Sequence, residues 1–132
     1  MDGQATATVE AWHAALNAGD VERLLALSAE HVEVGGPRGA GRGTDLLREW
    51  LGRAQIRLEP RRIFARDGTV VVEQAAAWRA PDTEEQTPPQ PAASVFRVRE
   101  GRVGSVIRYD DLAAALAAAG LDQSDEVVRS GR

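Results

Sequence analysis

The stretch Trp12-His13-Ala14-Ala15-Leu16-Asn17-Ala18-Gly19-Asp20 decides how the chain begins to fold. With Val9 added, Trp12, His13 and Leu16 fall at i, i+3, i+4 and i+7, which is one stripe of an α-helix. Gly19 can take the left-handed conformation that ends a helix, and Asp20 can cap the next by accepting a backbone N–H. The pattern therefore predicts a second helix over residues 21–29, with Leu24, Leu25 and Leu27 to bury. Two helices joined by Gly-Asp cannot continue in line, so they fold against each other.

Working outward, residues 31–34 alternate polar and apolar as a short half-buried strand does. Residues 35–43 hold five glycines and a proline and read as a flexible rim, where Arg38 or Arg42 could meet an anionic group. A third helix follows, with Thr44 as N-cap, Asp45 in its first turn, and Leu46, Leu47, Trp50 and Leu51 on its buried side. From Ile56 onward the pattern is that of strands. Residues 57–66 and 69–79 flank Asp67-Gly68, and residues 92–99 and 102–110 flank Glu100-Gly101, two signals for tight hairpin turns. Residues 81–91 carry four prolines and read as an exposed loop, because proline removes ladder donors. Asp110 or Asp111 can cap a last Ala-rich helix stopping at Gly120. Residues 1–120 thus form a single domain, and residues 121–132 a polar tail short of large apolar side chains.

Composition bounds what such a domain can do. Of 132 residues, 43 % are apolar and 27 % charged, enough for one core and little more. The absence of cysteine excludes disulfides and thiolate chemistry, and two distant histidines are no ligand set for a metal. A net charge of −4 carries no electrostatic footprint for nucleic acid or an anionic membrane. No apolar run approaches the roughly 20 residues that span a bilayer, so a cytoplasmic location is expected. Helices followed by a run of strands argue an α+β fold, with the helices over one face of a curved sheet. The hollow between them is where a small molecule would bind.

The segment from Trp12 to Asp20 belongs with three others: the Val32-Glu33-Val34 strand, the Gly41-Arg42-Gly43-Thr44 helix start, and Ile107-Arg108-Tyr109-Asp110-Asp111. In that order and spacing they resemble the nuclear transport factor 2-like superfamily, most of all its SnoaL-like polyketide cyclases and ketosteroid isomerases. The resemblance covers residues from about Val9 to Ala119. It implies a cone-shaped α+β barrel whose curved antiparallel sheet wraps a long N-terminal helix, commonly a homodimer packed through the convex sheet face. It implies less about reaction, because the fold hosts isomerases, cyclases, epoxide hydrolases and non-enzymatic binders.

Carried over residue by residue, the ketosteroid isomerase oxyanion-hole tyrosine falls on Trp12. The proton-shuttling aspartate falls on Gly36 and the second oxyanion donor on Ser94. All three are replaced, and glycine shuttles no proton, so that mechanism is rejected. The same register turns Val34, Trp50, Glu73, Ser94, Phe96, Val106, Arg108 and Asp110 toward the hollow, with Trp12 as a wall and His13 on the buried stripe. Glu73, Arg108 and Asp110 would then be the catalytic set, two carboxylates dividing into acid and base beside a guanidinium. No cofactor is required. The likeness to limonene epoxide hydrolases, which use an Asp-Arg-Asp set with a water molecule, is loose. Plain alternation disagrees with the register: Val103, Ile107 and Tyr109 make the more apolar face of the last strand, which puts Arg108 and Asp110 in water, and Glu73 likewise. The register is followed here, because a dimer would make the outer face apolar for its own reason. Two functions follow: an isomerase, cyclase or epoxide hydrolase acting on an apolar, ring-containing molecule, or a binding or dimeric assembly module without catalysis.

Overall fold

A computed structural model describes residues 2–36, 39–54, 57–77 and 90–127. Its elements are α1 (Asp2–Ala18), α2 (Val21–Ala26), β1 (Ser28–Gly36), β2 (Gly39–Arg42), α3 (Thr44–Ala54), β3 (Arg57–Arg66), β4 (Thr69–Ala77), β5 (Gln90–Arg99), β6 (Arg102–Tyr109) and α4 (Leu112–Ala119). The six strands form one curved, unclosed sheet in the order β2-β1-β6-β5-β4-β3. All neighbours are antiparallel except β1 and β6, which run parallel.

The opening stripe does what its spacing requires. Val9, Trp12, His13 and Leu16 are all buried, and Val9, Trp12 and Leu16 join Leu58, Ile63, Val70, Val72, Phe96 and Val106 in one core between α1 and the concave sheet face. Gly19 has φ +71°, and the Asp20 carboxylate accepts from the Arg23 N–H at 3.1 Å. Asn17 ties the end of α1 to an edge strand. Its amide donates to the Leu58 carbonyl at 2.8 Å and its carbonyl accepts the Leu58 N–H at 2.9 Å. Pro60 is tolerated in β3 because that strand is the sheet edge.

The structure departs from the sequence pattern where tertiary pairing outbids local preference. Helix α2 ends at Ala26, because the Leu27 carbonyl accepts from the Val103 N–H at 2.7 Å and the sheet starts there. Residues 39–42 are no loose rim but strand β2, paired with β1 from Glu33↔Arg42 to Gly36↔Gly39. Glycine is needed in this hairpin: a Cβ at Gly35 would stand 2.5 Å from Ala40 Cβ and 2.9 Å from the Gly39 carbonyl oxygen. Both hairpin turns form as read, with Asp67 and Gly68 at φ 52° and 82° and Glu100 and Gly101 at 55° and 76°. Most of the proline-rich loop lies outside the described residues, although Gln90 and Pro91 open β5.

The C-terminal segment is docked as far as Val127. The Leu121 side chain is buried, and the Val127 N–H donates to the Ile63 carbonyl at 2.7 Å. Arg62 holds Glu126 at 2.9 Å, and Arg66 donates to the Gly120 carbonyl and pairs with Asp125 at 3.4 Å. Helix α4, capped by Asp111 and closed at Gly120 with φ 73°, packs on the outer sheet face. There Ala115 and Leu116 meet Phe64, Val71, Ala93 and Val95 in a second, smaller core. Part of the face that the resemblance assigns to a partner is thus covered by the chain itself. Among the described residues, no helix is long and apolar enough to cross a membrane.

Candidate functional site

A cavity of about 530 Å³ opens between the β1–β2 hairpin, α3 and the concave face of the sheet. Its apolar walls are Val34, Leu46, Leu58 and Val106, and the glycines of the hairpin add bare backbone. Among the described residues two polar side chains border it, Ser94 on β5 and Arg108 on β6, directly opposite each other across the strand pair. Arg108 is exposed, and no hydrogen bond or ion pair engages it among the described residues. Its side chain runs beside Gly36, where a Cβ would sit 3.9 Å from Arg108 Nε. A free guanidinium at the mouth of an apolar hollow is a seat for an anionic or carbonyl oxygen.

A β-bulge puts Arg108 there. Across β5–β6 the register runs Arg97↔Ser105 and then Val98↔Val103, so Gly104 is the extra residue. Val103 before the bulge and Val106 after it both enter the α1 core, three positions apart. The phase of the strand therefore inverts at Gly104, and Arg108 follows Val106 inward. Simple alternation from Val103 to Tyr109 misses this.

On β4 no such break occurs, and the expected position of Glu73 is corrected. Val70, Val72 and Ala76 face α1, while Val71 joins the outer core. Glu73 shares the phase of Val71, opposite Arg62, whose charge it helps to hold. It stands on the far side of the sheet from Arg108. Asp110 lies one residue beyond β6, exposed, and does not border the cavity. The three residues expected to act as one set are not brought together.

The expected binding residues divide in the same way. Val34, Ser94 and Val106 line the cavity. Trp12 and Phe96 are core residues rather than walls, both fully buried, with ring centroids 5.2 Å apart and the planes near perpendicular. The Trp12 indole N–H donates to Ser28 Oγ at 3.2 Å, which itself donates to the Leu24 carbonyl at 2.9 Å. The side chain of Trp50 lies outside the described residues.

His13 is buried one step behind the cavity wall, joined to it by a residue the sequence pattern did not single out. Its Nε2 lies 2.8 Å from Gln74 Nε2, and Gln74 Oε1 accepts from Ser94 Oγ at 2.9 Å. His13, Gln74 and Ser94 are each at most 2 % exposed. The signal for Gln74 was present: it is the one polar member of the inward stripe Val70, Val72, Gln74, Ala76. A buried amide in such a stripe needs partners for both ends.

A family model described as the SnoaL-like domain matches residues 9–106. Among solved structures, the fold matches an NTF2-like protein from Burkholderia xenovorans at 28 % identity and a TM-score of 0.69. That match covers 90 % of this chain and 97 % of the other. A proposed polyketide cyclase from Xanthomonas campestris is 24 % identical at a TM-score of 0.70, covering 88 % and 96 %. An epoxide hydrolase of the LEH-like type from M. tuberculosis is 21 % identical at 0.73, covering 89 % and 90 %. No curated protein matches the sequence.

Proposed function

This chain belongs to the SnoaL-like domain family, and from that premise we propose that it binds a small, mainly apolar, ring-bearing molecule in the cavity above β5 and β6. Arg108 takes an anionic or carbonyl oxygen of that molecule, and Val34, Leu46, Leu58 and Val106 take the ring. The observation that carries this reading is the unengaged guanidinium at the edge of a pocket of about 530 Å³ with mostly apolar walls. Volumes of a few hundred Å³ suit one or two fused rings. Likeness to polyketide cyclases and epoxide hydrolases is in keeping with ring-bearing ligands. Binding is favoured over acid–base turnover by Glu73, Arg108 and Asp110, because Glu73 faces the other side of the sheet from Arg108. A homodimer through the part of the outer face beyond the α4 core, near Ile107, belongs to the same proposal; light scattering at micromolar concentration tests it.

The test uses 2-naphthoate and its uncharged methyl ester as probes. Wild-type protein is expected to prefer the acid, and Arg108→Gln to weaken the acid about tenfold or more, the worth of one charge-assisted hydrogen bond. Equal affinities of the two proteins for 2-naphthoate would overturn the assignment.

A further inference from the structure

The ligand can be narrowed by following protons along the buried chain behind the cavity, an inference that rests on the binding reading above. The Val9 carbonyl can only accept, and it lies 2.8 Å from His13 Nδ1, so Nδ1 carries the proton. In the neutral ring Nε2 then offers a lone pair, and the group facing it at 2.8 Å is the amide nitrogen of Gln74. That orientation of the amide turns Oε1 toward Ser94, whose hydroxyl donates its single proton across 2.9 Å. The tautomer and the amide orientation are assigned from the network as a whole, and each fixes the next. The reversed amide would need a proton on both ring nitrogens and would face the Ser94 hydroxyl with an N–H in place of the oxygen to which it donates.

Ser94 has therefore spent its only proton on Gln74. What its oxygen still has is lone-pair capacity, and Ser94 borders the cavity. Arg108, the other polar residue at the cavity among the described residues, has the opposite character, five N–H donors and no acceptor. We propose that the pocket reads polarity along its length, taking ligands with a hydroxyl donor at one end for Ser94 and an anionic oxygen at the other for Arg108.

The separation of the two poles sets the class. Ser94 and Arg108 are partners across β5–β6, but the Arg108 side chain turns to the other neighbour, β1, alongside Gly36. Acceptor and donor poles thus stand between one and two strand spacings apart, roughly 5–10 Å. That span is bridged by a rigid aryl scaffold whose two hydrogen bonds, about 2.8 Å each, come from the sheet beneath it. It fits a hydroxyl and a carboxylate at opposite ends of one or two aromatic rings, as in hydroxyaryl carboxylates. Gln74 and His13 are positioning residues in this scheme. They touch no ligand and hold the Ser94 hydroxyl as an acceptor.

The test compares 6-hydroxy-2-naphthoate with 6-fluoro-2-naphthoate, which is close in size and lacks the proton, and with 2-naphthoate as reference. Wild-type protein is expected to bind the hydroxy compound about tenfold more tightly than the fluoro compound, from one added hydrogen bond in a largely apolar site. Ser94→Ala is expected to bring that ratio within about twofold. The nitrogen shifts of labelled His13 in the unaltered protein give a readout independent of any variant, with the neutral Nδ1–H tautomer expected. Equal binding of hydroxy and fluoro compounds while 2-naphthoate binds, or an Nε2–H tautomer, overturns the polarity and leaves the pocket reading intact. Failure of all three naphthoates to bind overturns the pocket reading, and this inference with it.

Discussion

On β4, residues Val70, Val72, Gln74 and Ala76 face helix α1 without interruption, and Val71 and Glu73 face away. On β6, Val103 and Val106 both face α1, and the glycine between them absorbs the change of phase. The two strands carry similar mixtures of apolar and charged residues, yet one sends its charge to solvent and the other to a cavity. What separates them is a single inserted residue. In a sheet with apolar cover on both sides, alternation alone cannot tell inside from outside. Val71 is as buried as Val72, because α4 covers the outer face. A bulge in such a sheet moves a functional side chain across it at little cost in burial.

Deleting Gly104 is the harshest way to break the comparison. It restores strict alternation on β6, turns Val106 and Arg108 outward and sets Ile107 against α1. A loss of about 3–5 kcal/mol or more is expected in chemical denaturation, since the whole end of the strand is re-faced. A deletion variant of unchanged stability would contradict the bulge.

The neighbours Glu73 and Gln74 sharpen it. Gln74→Leu removes the acceptor of the buried Ser94 hydroxyl and the amide facing His13 Nε2, and a cost of about 1–3 kcal/mol is expected. Glu73→Gln on the outer face is expected to stay within about 0.5 kcal/mol of the parent. Similar losses for the two would mean that β4 is read on the wrong phase.

The smallest effect lies on the outer face of β3, where Arg62 meets Glu126. The hydrogen bond from Arg62 holds the Glu126 carboxyl below its ordinary value, and the same bond holds Arg62 above its own. A depressed carboxyl contributes stability above its unfolded-state pKa and loses it as pH falls through the folded value. The raised Arg62 changes nothing below strongly alkaline pH. A slight destabilisation on acidification is therefore expected, and Arg62→Gln should remove that part of the acid dependence of Tm. Both side chains are exposed, so the effect is small.

Much of the fold was legible in the chain: the opening stripe, the Gly19-Asp20 joint, both hairpin turns and the capped final helix. Each rests on local chemistry that neighbours do not override. The C-terminal residues 121–127 were not legible, because their docking depends on Arg62, Arg66 and Ile63, some sixty residues away. For the site, the family register turned Arg108, Ser94, Val34 and Val106 to the hollow, as they stand. The same register failed at Glu73, where plain alternation was the better guide. Gly104 within an otherwise apolar strand was the hint of a bulge that would have reconciled the two. Gln74 went unremarked because its importance lies in partners on two other elements.

The face of β6 that meets a ligand is the claim beneath all of this, and NMR titration of the protein with 2-naphthoate tests it most directly. The account expects shifts at the methyl groups of Val34 and Val106 and at the Arg108 guanidinium, with Ile107 and Val71 unmoved. Perturbation of Ile107 and Val71 in place of Val106 would put the ligand on the other side of the sheet and contradict it.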